Sequence, residues 1–297
     1  MRRSLVLALP VALALPALLV LRRPAPAAPP PPGASAAGGV LPVTDPSLAP
    51  TTSAPAPLPG APDDMVTIPG GHFAMGSVAR KAEPNESPVR EVTVRTFRLD
   101  RTEVTTGAYL ACVQDGRCAP LAAPESRHCT GPRGPSSLPV NCVSFDEADH
   151  YCRVHAKRLP TEAEWERAAR GDDGRTFPWG NEQPTCERAV SRQGNVAADG
   201  CPGGDGPQPV ASRKRAVSPY GVHDLGGNVE EWIADYYDDR HVAETDNPTG
   251  AKPTTAHVLR GGSWASPWRN LRSTARSWSS SHERGPTVGF RCARDAG

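Results

Sequence analysis

The chain has 297 residues, among them 28 Gly and 34 Pro, with 22% charged residues. That composition suits one sizeable loop-rich domain plus a tail and limits regular helix and strand. The formal charge is +1; the four arginines of the first 27 residues, with no acid among them, leave −3 for the remainder, a balance that excludes binding driven by a basic surface, such as nucleic-acid recognition.

Arg2-Arg3 precedes an apolar and small-residue run from Ser4 to Leu21, the charged n-region and apolar h-region of an export signal. Ala25-Pro-Ala27 supplies a small-x-small cleavage site, while the run is close to bilayer-spanning length, so residues 1–27 read as a signal peptide or an N-terminal anchor. The expected location is exported: periplasmic, extracellular or membrane-anchored, with membrane contact only through this segment. Residues 28–62 are Pro, Ala, Gly, Ser and Thr with few large apolar groups, a linker that cannot offset its own ordering entropy. The folded domain is expected over 63–297.

Met65 to Ile68 and His72 to Met75 predict two short strands about the Gly-rich Pro69-Gly-Gly71 turn. Glu91 to Leu99, with Val92, Val94 and Phe97 among polar residues, predicts one half-buried strand carrying a bulge. Thr105 caps a helix running to about Gln114, stopped by Gly116. Ser144-x-x-Glu147 and Thr161-x-x-Glu164 are capping boxes that open helices over about Asp146 to Ala156 and Glu162 to Arg170. In the last of these Trp165 lies over Ala168 and Ala169 at i+3 and i+4, a core contact. Beyond Gly171, Pro178-Trp-Gly180 and Ser218-Pro-Tyr-Gly221 signal turns. His257 to Trp264, Leu271 to Ser277 and Val288 to Ala293 are expected as the late strands.

Cys112, Cys118, Cys129, Cys142, Cys152, Cys186, Cys201 and Cys292 form an even set downstream of the leader, which in an exported chain reads as disulfides. Short loops favour Cys112 with Cys118 and Cys186 with Cys201. A zinc site would need paired C-x-x-C spacing, which is lacking. His150 and His155 are five apart, poor spacing for two ligands on one helical face, and read as surface or packing residues. Tyr236-Tyr237 with Asp235, Asp238 and Asp239 reads as a solvated acidic loop, with cleft lining as the alternative. Adjacent His223 and Asp224 do not suit a relay to Ser263.

The ordered blocks Arg158-Leu-Pro-Thr-Glu-Ala-Glu-Trp-Glu166, Gly227-Asn-Val-Glu-Glu-Trp232, Arg260-Gly-Gly-Ser-Trp264 and Gly289-Phe-Arg-Cys-Ala293 resemble the formylglycine-generating enzyme and sulfatase-modifying-factor family. The resemblance covers roughly Met65 to Arg294. It implies a mixed α/β, C-type-lectin-like formylglycine-generating-enzyme fold with low regular secondary structure and a surface cleft for a peptide or other ligand. It also implies a Cys152–Cys292 bridge, which leaves Cys129 with Cys142.

Oxidase members of that family carry a copper-binding cysteine pair after the Arg-Gly-Gly-Ser-Trp-like block. Here Ser266 stands at the first position, the region of the second is shortened, and no cysteine lies between Gly262 and Arg291. Hydroxyls do not replace soft thiolate ligands for Cu(I), so copper is not expected. Glu230 replaces the aromatic residue usual beside the oxygen pocket. Ser263 alone matches an oxidase active-site residue and remains the single weak catalytic candidate, with a turn hydroxyl as its plainer reading.

Asp224-Leu-Gly-Gly-Asn-Val-Glu-Glu231 is similar to the family's calcium loop, which carries the ligand roles to Asp224, Gly227, Val229 and Glu231. Hard oxygen donors and glycines that free the backbone to turn its carbonyls inward suit calcium; a second family site lacks its Asn near Val190. The expected function is a non-oxidase binding or accessory module for a peptide, protein or small ligand. The rival is a non-copper enzyme like the family's relatives in siderophore maturation, and residual oxidation of a sulfatase cysteine comes last.

Overall fold

The computed structural model describes residues 64–79, 82–124, 126–192, 205–240, 244–251 and 253–297. The expected leader 1–27 and linker 28–62 lie outside them. The elements are β1 (Met65–Ile68), β2 (Gly71–Met75), β3 (Arg90–Val94), β4 (Phe97–Asp100), α1 (Thr106–Gln114), α2 (Phe145–Val154), α3 (Glu162–Arg170), β5 (Glu230–Tyr236), β6 (Ala256–Arg260), β7 (Arg276–Ser280), β8 (Val288–Gly289) and β9 (Ala293–Asp295). The long stretch between α3 and β5 carries no helix or strand among its described residues. This is the mixed α/β, loop-dominated architecture that the sequence implied.

Three small sheets share the work. β4 sits between β1 and β9, both antiparallel to it, so the first and last described strands flank the same strand. β2 and β3 form a separate antiparallel pair, and the largest sheet has the order β7-β6-β5-β8 with β5 and β8 parallel. Several sequence expectations change here: the strand expected over Leu271–Ser277 is β7 at Arg276–Ser280, and Val288–Ala293 is not one strand but β8 and the start of β9. β1 and β2 are sequential but belong to different sheets, and the stretch from Glu91 to Leu99 is two strands divided at Arg95-Thr96, not one bulged strand. The break lets Val92 and Val94 pack with Phe73 and Met75 while Phe97 and Leu99 enter the core around Ile68 and Trp165.

All three helices start where their caps predicted. The Thr105 hydroxyl accepts from Ala108 N–H, Ser144 from Glu147 N–H and Thr161 from Glu164 N–H, with Glu147 and Glu164 returning the bond. α3 is nearly enclosed: Trp165, Ala168 and Ala169 are fully buried beside Ile68, Leu99, Leu225 and Ile233. The helix also buries charge, each paired. Glu166 meets Arg260, and Glu162 accepts both Nε and Nη2 of Arg276 at 2.6 and 2.9 Å. Glu86, fully buried, receives Arg272 and the Thr274 hydroxyl, tying an early loop to the segment before β7.

Disulfides join Cys112 to Cys118, Cys129 to Cys142 and Cys152 to Cys292. The last fastens α2 to the segment between β8 and β9. Cys186 is also disulfide-bonded, whereas Cys201, its expected partner, lies outside the described residues.

Candidate functional site

The Arg260-Gly-Gly-Ser-Trp264 block leaves β6 in a tight turn. Gly262 has φ +66°, and a Cβ there would stand 2.8 Å from the Asn270 carbonyl, so the turn closes only with glycine. The turn delivers Ser263 to a buried position, where its Oγ lies 3.1 Å from Ser266 Oγ. Ser263 N–H donates to Ser266 Oγ at 3.0 Å, and Ala265 N–H donates to Ser263 Oγ at 3.3 Å. The two hydroxyls therefore close a local hydrogen-bonded turn. Ser263 has the turn role of its plainer reading, and no histidine stands among its hydrogen-bond partners.

Trp264 carries the turn outward to a cleft. Its backbone N–H donates to Asn228 O, its indole donates to Pro286 O at 3.1 Å, and its ring faces His128 with centroids 4.7 Å apart. His128 lines a cleft of about 670 Å³ with Leu121, Arg127, Leu138, Asp205 and Gln208, a volume within the range of ligand sites. Buried Asn141 holds the wall: its Nδ2 donates to His128 O and Pro286 O, and its Oδ1 accepts from Thr130 N–H at 2.7 Å. The Cys129–Cys142 bridge lies in the same wall. The opposite side is anchored by Gln208 N–H donating to Asn228 Oδ1 at 2.9 Å. His128 and Asn141 had no signal in the sequence, and Trp264 was flagged only as part of its block, because their juxtaposition depends on a long loop meeting a distant turn.

Beneath the same block lies a cluster of buried acids. Gly227 has φ +108° and passes so near Val190 that a Cβ would lie 2.5 Å from its carbonyl oxygen. The turn brings Asp224 to Glu103 and Glu231, all at most 4% exposed. Arg291, fully buried, grips Glu231 with Nε and Nη2 at 2.8 Å each, and the Trp165 indole donates to the same carboxylate at 2.9 Å. Asp224 accepts from Ala211 N–H at 2.6 Å, and Glu103 accepts from Asn228 Nδ2 at 3.1 Å. The Glu103 and Asp224 carboxyls also hydrogen-bond each other, one of them carrying the proton.

Three acids thus face one arginine. Burial pushes Asp224 up to about 6, and it raises Glu103 well above the carboxylate range with repulsion from Asp224 added. The expected calcium residues Asp224, Gly227, Val229 and Glu231 do share one segment, and Glu103, unnoticed in the sequence, joins them. An all-oxygen donor set and more acids than the single Arg291 neutralises suit a hard divalent cation, which would displace the shared proton. Among the described residues no trio of His, Cys, Asp and Glu converges as a metal site, so backbone carbonyls would have to complete the shell. Glu231 would contribute only by sharing with Arg291.

Other residues fall as packing. His155 Nδ1 lies 2.8 Å from Tyr151 O, and His150 Nε2 lies 2.7 Å from Arg117 O. Asp238 and Asp239 are exposed, whereas Asp235 is buried.

Residues 51–296 match the model of the sulfatase-modifying factor enzyme 1-like domain. The chain is 34% identical to the formylglycine-generating enzyme of Streptomyces coelicolor, covering 82% of this chain and 92% of that one. It is 33% identical to the inactive C-alpha-formylglycine-generating enzyme 2 of Mus musculus, covering 78% and 86%. Among solved structures, PvdO from Pseudomonas aeruginosa superimposes with a TM-score of 0.66 at 28% identity, over 78% of this chain and 94% of that chain. The chain belongs to the sulfatase-modifying-factor family and has its C-type-lectin-like formylglycine-generating-enzyme fold.

Proposed function

We propose that this chain is an exported, non-oxidase member of the family, a binding or accessory module that holds a peptide, protein or small ligand in the cleft beside Trp264. The carrying observation is the Ser263–Ser266 turn. Where the oxidases place a copper thiolate, this chain has a seryl hydroxyl engaged by Ser263 N–H and Oγ, and the described cysteines are all in disulfides. The test is oxygen uptake by the purified, disulfide-intact protein given Cu(I) and a cysteine-containing peptide. No uptake beyond the copper-only control, with no copper retained after desalting, is the expected result; stoichiometric copper and peptide-dependent uptake would overturn the reading.

Calcium belongs to the same proposal, as a structural ion held by oxygen donors around Asp224 and Glu103. Ligand-linked stabilisation reaches about 2.7 kcal/mol at a hundredfold excess over Kd. Glu231→Ala is a poor probe, because it also strands Arg291. Glu103→Gln keeps an oxygen for Asn228 and removes the charge. Calcium should raise the melting temperature of the parent chain and do so much less in Glu103→Gln, whereas equal shifts would eliminate the site.

A second reading, suggested by the family resemblance and compatible with the fold shared with PvdO, is a non-copper enzyme of the siderophore-maturation kind. Stoichiometric iron or another redox metal in the purified protein would favour it over the binding module.

A further inference from the structure

The wall of the Trp264 cleft contains a disulfide that differs from the others in three respects. Cys129 and Cys142 are both half-buried and line the cleft, whereas Cys112, Cys118, Cys152 and Cys292 are at most 8% exposed. A thiolate attacks a disulfide only where it can reach a sulfur, so of the three bridges with both cysteines described, this one alone is open to a ligand in the cleft. The second difference lies in the backbone. Cys142 has φ +57° and is the only described cysteine in the left-handed region, a conformation that a Cβ disfavours. The bridge helps to hold it there, together with Cys142 N–H donating to Gly285 O at 3.1 Å, and opening the bridge lets that strain relax.

The third difference is what remains once the bridge is open. Asn141, directly before Cys142 in the chain, clamps the residues on either side of Cys129 without the bridge. Its Nδ2 donates to His128 O at 2.9 Å, its Oδ1 accepts from Thr130 N–H at 2.7 Å, and its own N–H donates to Thr130 Oγ1 at 3.1 Å. Two thiols released here stay side by side, so the bridge can open and close again without the wall coming apart.

Resting on the reading of that cleft as a ligand site, we propose that Cys129–Cys142 is an exchangeable disulfide that captures the thiol of a cysteine-containing peptide seated there. The peptide thiol gives up its proton to water, and the thiolate attacks one sulfur of the bridge. A new S–S bond forms to the peptide as the old one breaks, and the second protein sulfur leaves as a thiolate that takes up a proton. Attack by that sulfur on the mixed disulfide reverses the step and frees the peptide. The exchange conserves electrons, so it calls for no further oxidant or reductant.

The test is mass mapping of the full, disulfide-intact chain during exposure to the amidated peptide Gly-Leu-Cys-Leu-Gly, quenched in acid over a time course. Peptide should appear on Cys129 or Cys142 at least about tenfold faster than on Cys112, Cys118, Cys152 or Cys292. The rate should saturate as peptide is raised, whereas the rate with 2-mercaptoethanol should not. No adduct at Cys129 or Cys142, or adducts at all three bridges at one common rate, would overturn the proposal. Equal, unsaturating rates for the two thiols would overturn its commitment to a peptide. Calorimetric titration with the unreactive counterpart Gly-Leu-Ser-Leu-Gly reports on the cleft by itself: binding without exchange would end this proposal and leave the cleft reading standing, and the absence of both would end the two together.

Discussion

Arg291 shows how a single side chain can hold a region together that its own sequence block describes only as a motif. It is fully buried against Glu231 and also donates to Asp100 O and His223 O. Removing one partner of a buried pair leaves an uncompensated charge, so Arg291→Met should cost about 3–5 kcal/mol in urea unfolding measured in chelator. Adding Glu231→Gln should recover part of that loss, since the two changes share one interaction; strict additivity would show that the pair is not coupled. The sequence marked the glycines of the Asp224–Glu231 segment as freeing its backbone, and Gly227 does take φ +108°. It did not reveal Glu103, because a glutamate between Thr102 and Val104 reads as one more polar residue until the fold sets it beside Asp224.

At the level of elements, the helices were legible and the strands only in part: β1, β2 and the start of β6 stand where expected, whereas β5 does not. A capping box is local chemistry, complete within four residues, and α1, α2 and α3 begin at the expected Thr105, Ser144 and Thr161. Thr161→Ala and Ser144→Ala should each cost about 1 kcal/mol in denaturant unfolding, since each box partner, Glu164 or Glu147, also anchors an arginine. β5 had no strand signal: Glu230, Glu231 and Asp235 interrupt the alternation, and its acids are tolerable only because Arg291 and Glu162 N–H meet two of them inside. Asp235 also yields a pH prediction. Its folded pKa lies above the unfolded value, so the folded state binds the proton more tightly and stability falls as pH rises from about 4 toward the folded pKa. Asp235→Asn keeps an oxygen for Glu162 N–H and cannot ionise. Its melting temperature relative to the parent should therefore climb over that interval and level off above it; a constant offset from pH 4 to 8 would show that Asp235 does not titrate abnormally.

Over the whole molecule, few regular elements and many loops must still form one core, and crosslinks compensate for what hydrogen-bonded ladders do not supply. The last described strand, β9, pairs with β4, which joins residues about as far apart in sequence as any described pairing. Cys152–Cys292, with a sequence separation of 140, closes the largest loop beside that pairing, against 13 for Cys129–Cys142 and 6 for Cys112–Cys118. Loop-closure entropy then predicts about 5 kcal/mol for the first bridge, about 3 for the second and about 2 for the third. Paired Cys→Ala variants should lose stability in that order in urea unfolding under non-reducing conditions. Function should follow a different order. Cys129–Cys142 lines the Trp264 cleft, so its removal should weaken ligand binding there beyond what its modest stability loss explains, while removing Cys112–Cys118, which lies outside that cleft, should leave binding intact. If binding instead declines in step with stability across the three variants, the cleft-lining bridge has no role beyond holding the fold.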